Sequence, residues 1–201
     1  WEITEFGKIS VRKYYSPNKL QLMKERLLEA DANRNVKDTV TLSYIMASEC
    51  MHLSNAEAWE LSDYKSSVAG NGYLFKHGEL VHGFACYCAM AGGIVPKWIR
   101  HVVKQVKEDM PRFFSALIEI AESEGNKELA DEINVASTMA MKKVDEETAT
   151  IMIEFGFKHR SCAHELKSLG ITSRNDIAKK EDDLIASGSA GLVHELQENG
   201  F

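Results

Sequence analysis

The chain is poor in proline, the strongest helix breaker. It has three in 201 residues. With abundant Ala, Leu, Met, Glu and Lys, that scarcity favours helix over strand. No run approaches the roughly 20 apolar residues that a membrane helix needs, so no membrane span is expected. The first residues, Trp1-Glu2-Ile3-Thr4-Glu5, lack the basic and apolar regions of a secretory signal. The chain is therefore expected not to be secreted, and its four cysteines, Cys50, Cys86, Cys88 and Cys162, are expected as reduced thiols. There is no Cys-x-x-Cys pair, no phosphate-binding G-x-x-x-x-G-K-[ST], no dinucleotide glycine fingerprint and no G-x-S-x-G elbow. These absences remove the commonest nucleotide-hydrolysing, redox and serine-hydrolase chemistries.

What remains is ordinary globular material: 44% hydrophobic, 27% charged, with a formal net charge of -6. Apolar residues recur at helical spacing along most of the chain. Ser16-Pro17 supplies an N-cap and a first-turn proline. Leu20, Met23, Leu27 and Ala30 continue that helix to about Asp31. A second helix begins near Asp38, and Ser54-Asn55-Ala56-Glu57 is a capping box for a third. Further helices are expected from about Gly78 to Ala91, from Pro96 to about Asp109, and from Pro111 to Gly125. Others start at Asn126 and Asp145, and a short one spans Ser161 to Leu169. The expected fold is all-α: one helical domain of about nine helices over 16–170. An extended N-terminal arm or hairpin occupies 1–15, where apolar residues alternate imperfectly around Gly7. A weakly patterned C-terminal segment, 171–201, is expected to be helical or mobile.

Three groups of residues invite a functional reading. Glu49-x-x-His52 and Glu79-x-x-His82 repeat a spacing that places a carboxylate and an imidazole on one helix face, as in di-iron carboxylate bundles. They lie 30 residues apart with no clear helix supplying the bridging glutamate between them, so a cytosolic metal protein or enzyme is the rival reading and no metal or cofactor is expected. His82 and Cys86 are four residues apart and could share an ion, but on a helix Cys86 and Cys88 point roughly 200° apart and cannot chelate together. Cys86, Tyr87, Ala89 and Met90 read instead as packing residues.

The second group is a basic stripe. At about 100° per residue, Arg100, Lys104 and Lys107 fall within roughly 80° of Lys97, while Trp98, Ile99, Val102, Val103 and Val106 take the other side. Residues 97 to 112 hold five basic and two acidic side chains, the fifth cation being Arg112. The plain reading is a solvated helix face. The functional reading is a groove in which lysine and arginine track the phosphates of a single strand. Lys142, Lys143, Lys158 and Arg160 are further candidates. The same stripe would also suit a helical adaptor that meets an acidic protein.

The third is a succession of landmarks. Gly83-Phe84-x-x-Tyr87-Cys88, then Gly92, Pro96 and Trp98, resembles a stretch in the coat proteins of flexuous filamentous plant viruses. The helix Pro111 to Glu124 and the segment Ala149 to Phe157 follow in similar order, so the resemblance covers about 83–157. Where that family has an aspartate this chain has Glu154, and Thr150 stands where the family has an upstream arginine. The resemblance implies a non-enzymatic RNA-packaging protein with an all-α core. It implies arms that dock on neighbouring subunits, single-stranded RNA held without sequence readout, and location in a virion or host cytoplasm. Self-association would run through the N-terminal arm, which carries Trp1, Ile3, Phe6, Ile9, Val11, Tyr14 and Tyr15.

Overall fold

The computed structural model describes residues 3–48, 61–76, 78–177, 179–180, 182, 184, 186 and 188–201. Those residues form eleven α-helices and one 3-10 turn, with no strand among them. The helices are α1 Glu5–Lys13, α2 Pro17–Ala32, α3 Thr39–Met46, α4 Ser62–Gly70, α5 Glu79–Ala91 and α6 Arg100–Ser123. They continue as α7 Lys127–Lys142, α8 Glu146–Phe155, α9 Arg160–Ser168, α10 Arg174–Ile177 and α11 Ala190–Glu198. The all-α expectation holds. The capping box at Ser54 lies outside the described residues.

The chain makes two compact units, Trp1–Ser137 and Thr138–Phe201, divided within α7. The sequence pattern suggested a division near 170 instead.

In the first unit α5 packs against both α3 and α6, and α2 closes over α3 and α6. Helix α5 is nearly all apolar, and ten of its thirteen residues are buried, as a central helix must be. Gly83 sits where it passes the preceding loop. A Cβ there would lie 2.4 Å from Cζ of Phe75 and 2.7 Å from the Tyr64 hydroxyl oxygen. Phe84 stacks with Trp98, ring centroids 6.2 Å apart, and Tyr87 meets Tyr64 at 5.4 Å. The Gly-Phe-x-x-Tyr landmark is thus packing chemistry.

Two expectations are corrected here. The segment expected as an extended arm is a helix over Glu5–Lys13. Thr4 caps it, its hydroxyl accepting the Gly7 amide at 3.1 Å, and Tyr14 ends it in the left-handed conformation. Ile9 is buried, and Arg12 and Lys13 both reach Glu119 on α6, at 2.6 and 2.7 Å. Capping and long-range pairing outweigh the weak alternation that suggested a strand. The expected break at Pro111 is also absent, for α6 runs through it. Met110, Phe113, Phe114, Leu117 and Ile120 continue the buried face begun by Val102, Val103 and Val106. Burying that face across the proline offsets a helix-interior penalty of about 3 kcal/mol relative to alanine.

The second unit is built on a core of Ile151, Met152, Phe155, Phe157, Leu166, Ile171, Leu192 and Leu196. Asp145 caps α8 by accepting the Thr148 amide at 2.7 Å, and Gly156 ends it at a φ of 72°. Among the described residues of 171–201 the chain is helical over Arg174–Ile177 and Ala190–Glu198, one of the two alternatives expected there. Ser189 caps α11 through the Leu192 amide at 3.2 Å, and Leu192 is fully buried.

Candidate nucleic-acid interface

Helix α6 separates its faces as the sequence predicted. Val102, Val103 and Val106 are buried, whereas Arg100, Lys104 and Lys107 are exposed. Lys97 is exposed too, but it belongs to the 3-10 turn Lys97–Ile99 that precedes the helix, with Ile99 buried as its anchor. Among the described residues Lys97, Arg100 and Lys107 make no ion pair. Lys104 approaches Glu108 only to 4.0 Å, with both side chains well solvated. Such a pair contributes little to stability and leaves the cation available.

Arg112 parts company with the stripe. On α6 it points more than about 100° from the mean direction of Arg100, Lys104 and Lys107. Its Nε donates to Asp109 at 2.5 Å, and its guanidinium lies 4.5 Å from the centre of the Tyr15 ring. Asp109 accepts the Tyr15 hydroxyl as well, at 3.2 Å. Burial, reinforced by the Asp109 charge, drives the Tyr15 phenol well above its ordinary range, so it stays a donor. The hydrogen bond to Asp109 in turn raises Arg112, mildly opposed by its partial burial.

The second-unit candidates converge. Lys142 Nζ donates to the Lys158 carbonyl at 3.0 Å, and Arg160 reaches the Lys142 carbonyl at 3.4 Å. Lys158 pairs with Glu198 at 3.2 Å, and Lys143 takes a left-handed φ of 57° at the end of α7. The chain thus gathers Lys142 from the end of α7, Lys158 from the turn before α9 and Arg160 from the start of α9 at one place. In the same unit, Arg174 donates to the Glu154 carbonyl at 2.9 and 3.1 Å and approaches its carboxylate at 3.7 Å. An arginine does meet Glu154, from downstream rather than from the position of Thr150. Only the fold reveals it, because α10 carries no periodic signal long enough to read.

Of the Glu-x-x-His residues, Glu49 and His52 lie outside the described residues, as does Cys50. Glu79 is buried and bound by Arg26 Nη2 at 2.6 Å and by the Lys76 amide at 3.0 Å. His82 is buried, its Nδ1 accepting the Ser48 amide at 3.1 Å. Both groups serve the packing of α2, α3 and α5. No set of three or more His, Cys, Asp or Glu side chains among the described residues is arranged to hold a metal ion. Cys86, Cys88 and Cys162 are buried. Burial, with the Glu195 charge beside it, pushes the Cys162 thiol up, away from the thiolate a nucleophile needs.

No helix of the described residues is long and apolar enough to cross a membrane. Comparison of the chain with protein-family models, with curated proteins and with solved structures finds no match.

Proposed function

We propose that this protein packages single-stranded RNA without catalysing a reaction, as a self-associating subunit of a helical nucleoprotein in a virion or host cytoplasm. The observation that carries the reading is the solvent-facing row of Lys97, Arg100, Lys104 and Lys107. Three of its four cations lack an ion pair among the described residues, and the opposite face of the same helix is locked into the core. A fixed row of cations at helical spacing offers successive phosphates a charged track and reads no base edge, which suits packaging. The cluster of Lys142, Lys158 and Arg160, with Lys143 at the end of α7, gives the second unit a basic surface of its own.

Self-association has support at α1 and its two ends, where Ile3, Val11 and Tyr14 face solvent at 63, 68 and 85% exposure. The landmark resemblance over 83–157 agrees with the reading and adds the filament as the form of assembly.

The deciding experiment is the salt dependence of RNA binding. Lys104→Ala with Lys107→Ala removes two cations that the core does not use. The slope of log affinity against log salt should flatten by roughly 0.7 for each lost single-strand contact. Wild-type protein that binds an acidic protein and no RNA would overturn the proposal in favour of an adaptor. RNA binding with an unchanged slope in the double variant would move the track off α6, to the second-unit cluster.

A further inference from the structure

The first unit contains a cleft of about 550 Å³ whose wall includes Tyr15, Lys19, His82, Gln105, Asp109 and Arg112. Gln105, Asp109 and Arg112 are spaced along α6 so that they point within roughly 60° of one another. That direction is turned well away from the lysine stripe. The cleft is therefore a separate surface, and what it holds does not depend on where a strand's phosphates run.

Its chemistry is specific. Asp109 bridges Arg112 and the Tyr15 hydroxyl, and the guanidinium carbon lies over the Tyr15 ring, so the group is held from two sides. The ring covers one side of it, and 42% of the Arg112 side chain remains exposed. A planar cation fixed in this way is a platform for a second planar group. Gln105 is exposed and makes no hydrogen bond among the described residues, which leaves an amide donor and acceptor one face of α6 away. Lys19 sits partly buried with its ammonium 5.1 Å from the Tyr15 ring centre and no carboxylate within ion-pair distance among the described residues. Asp109 is already bound twice, and Glu108, which also lines the cleft, is a solvated group facing Lys104 at 4.0 Å. The cleft thus offers a stacking plane, a base-edge partner and one cation without a counter-ion. His82 closes one side, its ring fixed by the Ser48 amide.

We propose that this cleft binds a nucleotide unit, with the base stacked on Arg112, its edge at Gln105 and its phosphate at Lys19. The unit can be a free nucleotide or one residue of a strand, and the test separates these sources. The full chain is titrated calorimetrically with AMP, adenosine, ribose 5-phosphate and octaadenylate. AMP is expected to bind at least about tenfold more tightly than ribose 5-phosphate, as base stacking requires. Arg112→Lys keeps the charge and loses the plane, and should weaken AMP and adenosine about tenfold. Lys19→Ala should weaken AMP and leave adenosine unchanged. Gln105→Ala touches no packing and guards against an effect of misfolding, which urea midpoints also check. If AMP fails to bind but octaadenylate binds and weakens in both Arg112→Lys and Gln105→Ala, the site takes its base from a strand. Equal binding of ribose 5-phosphate and AMP overturns the proposal. So does the absence of any binding, or an affinity for both AMP and octaadenylate that neither cleft variant alters. Octaadenylate binding that responds to Lys104→Ala with Lys107→Ala but to no cleft variant rejects the cleft and leaves RNA packaging standing.

Discussion

Arg26 and Glu79 form a buried ion pair at 2.6 Å that joins α2 to α5. The pair is well furnished. Arg26 Nη1 also donates to the carbonyls of Tyr44 and Ala47, and its guanidinium lies 4.3 Å from the Tyr44 ring centre. Glu79 accepts the Lys76 amide besides. Desolvating two charges is expensive, and such a pair is tolerated only when hydrogen bonds satisfy both partners, as here.

Glu79→Ala should therefore lower stability by about 3–5 kcal/mol, because it strands a buried guanidinium. Replacing both partners, Arg26→Met with Glu79→Leu, should cost much less than that single change. Urea unfolding of the two variants measures the difference. A metal bound through Glu79 would instead make the stability of wild type depend on chelator, and a melting temperature unmoved by EDTA is the expected result.

Asp145 gives a pH-dependent contribution in the second unit. Its carboxyl is held down at about 2, first by hydrogen bonds from Thr148 and then by Lys167. A folded-state pKa below the unfolded value of about 3.9 means stability that is fully present above about pH 4. That contribution disappears as pH falls through 2, where both states bind the proton. The side chain is 59% exposed, so solvent screening keeps the charge effect small and the cap itself is the larger part. Asp145→Ala should cost about 1 kcal/mol at neutral pH. Its deficit against wild type should shrink on titration from pH 4 to pH 2, followed by urea midpoints.

The legible part of this fold was the part carried by long periodic runs and caps. Ser16-Pro17 opens α2 and Asp38 caps α3, its carboxylate accepting the Thr41 amide at 2.9 Å. The split of α6 between a valine face and a lysine face was also readable, because both faces are local. What escaped was decided by distant partners. Residues 1–15 read as an extended arm or hairpin around Gly7, and only Glu119, more than a hundred residues on, supplies the anchors for Arg12 and Lys13 that accompany the helix. Asp109 and Arg112 carried an i, i+3 signal, but the ring that Arg112 covers belongs to Tyr15. The weak pattern of 171–201 left helix and mobile segment both open, and only the fold shows Leu192 and Leu196 in the core of the second unit.

Pro111 offers a direct test of how α6 tolerates an interior proline. The ring is exposed, so the missing amide leaves the Lys107 carbonyl to solvent rather than stranding it in the core. Pro111→Ala restores that donor and removes the ring. It should stabilise the protein by about 1–3 kcal/mol with no loss of helix content. Circular dichroism and thermal unfolding check both statements. A destabilised variant would mean that packing on both sides of Pro111 has been fitted to the proline.

The last prediction concerns the outward face of α1. Deleting residues 1–15 would be a poor probe of assembly, because Ile9 and Tyr15 are core residues and the helix is pinned to Glu119. Unfolding and failed assembly would then look alike. Val11 and Tyr14 avoid the problem, being 68 and 85% exposed. Tyr14 caps the helix with a φ of 54°, a conformation that asparagine adopts more readily than tyrosine. Val11→Glu with Tyr14→Asn should therefore change stability by under about 0.5 kcal/mol. If α1 docks on a neighbouring copy, burying an added carboxylate there without a partner is costly, and assembly should fall sharply. Sedimentation velocity at several protein concentrations reads the outcome, with the urea midpoint as control. Unchanged sedimentation beside an unchanged midpoint would remove α1 from the assembly surface.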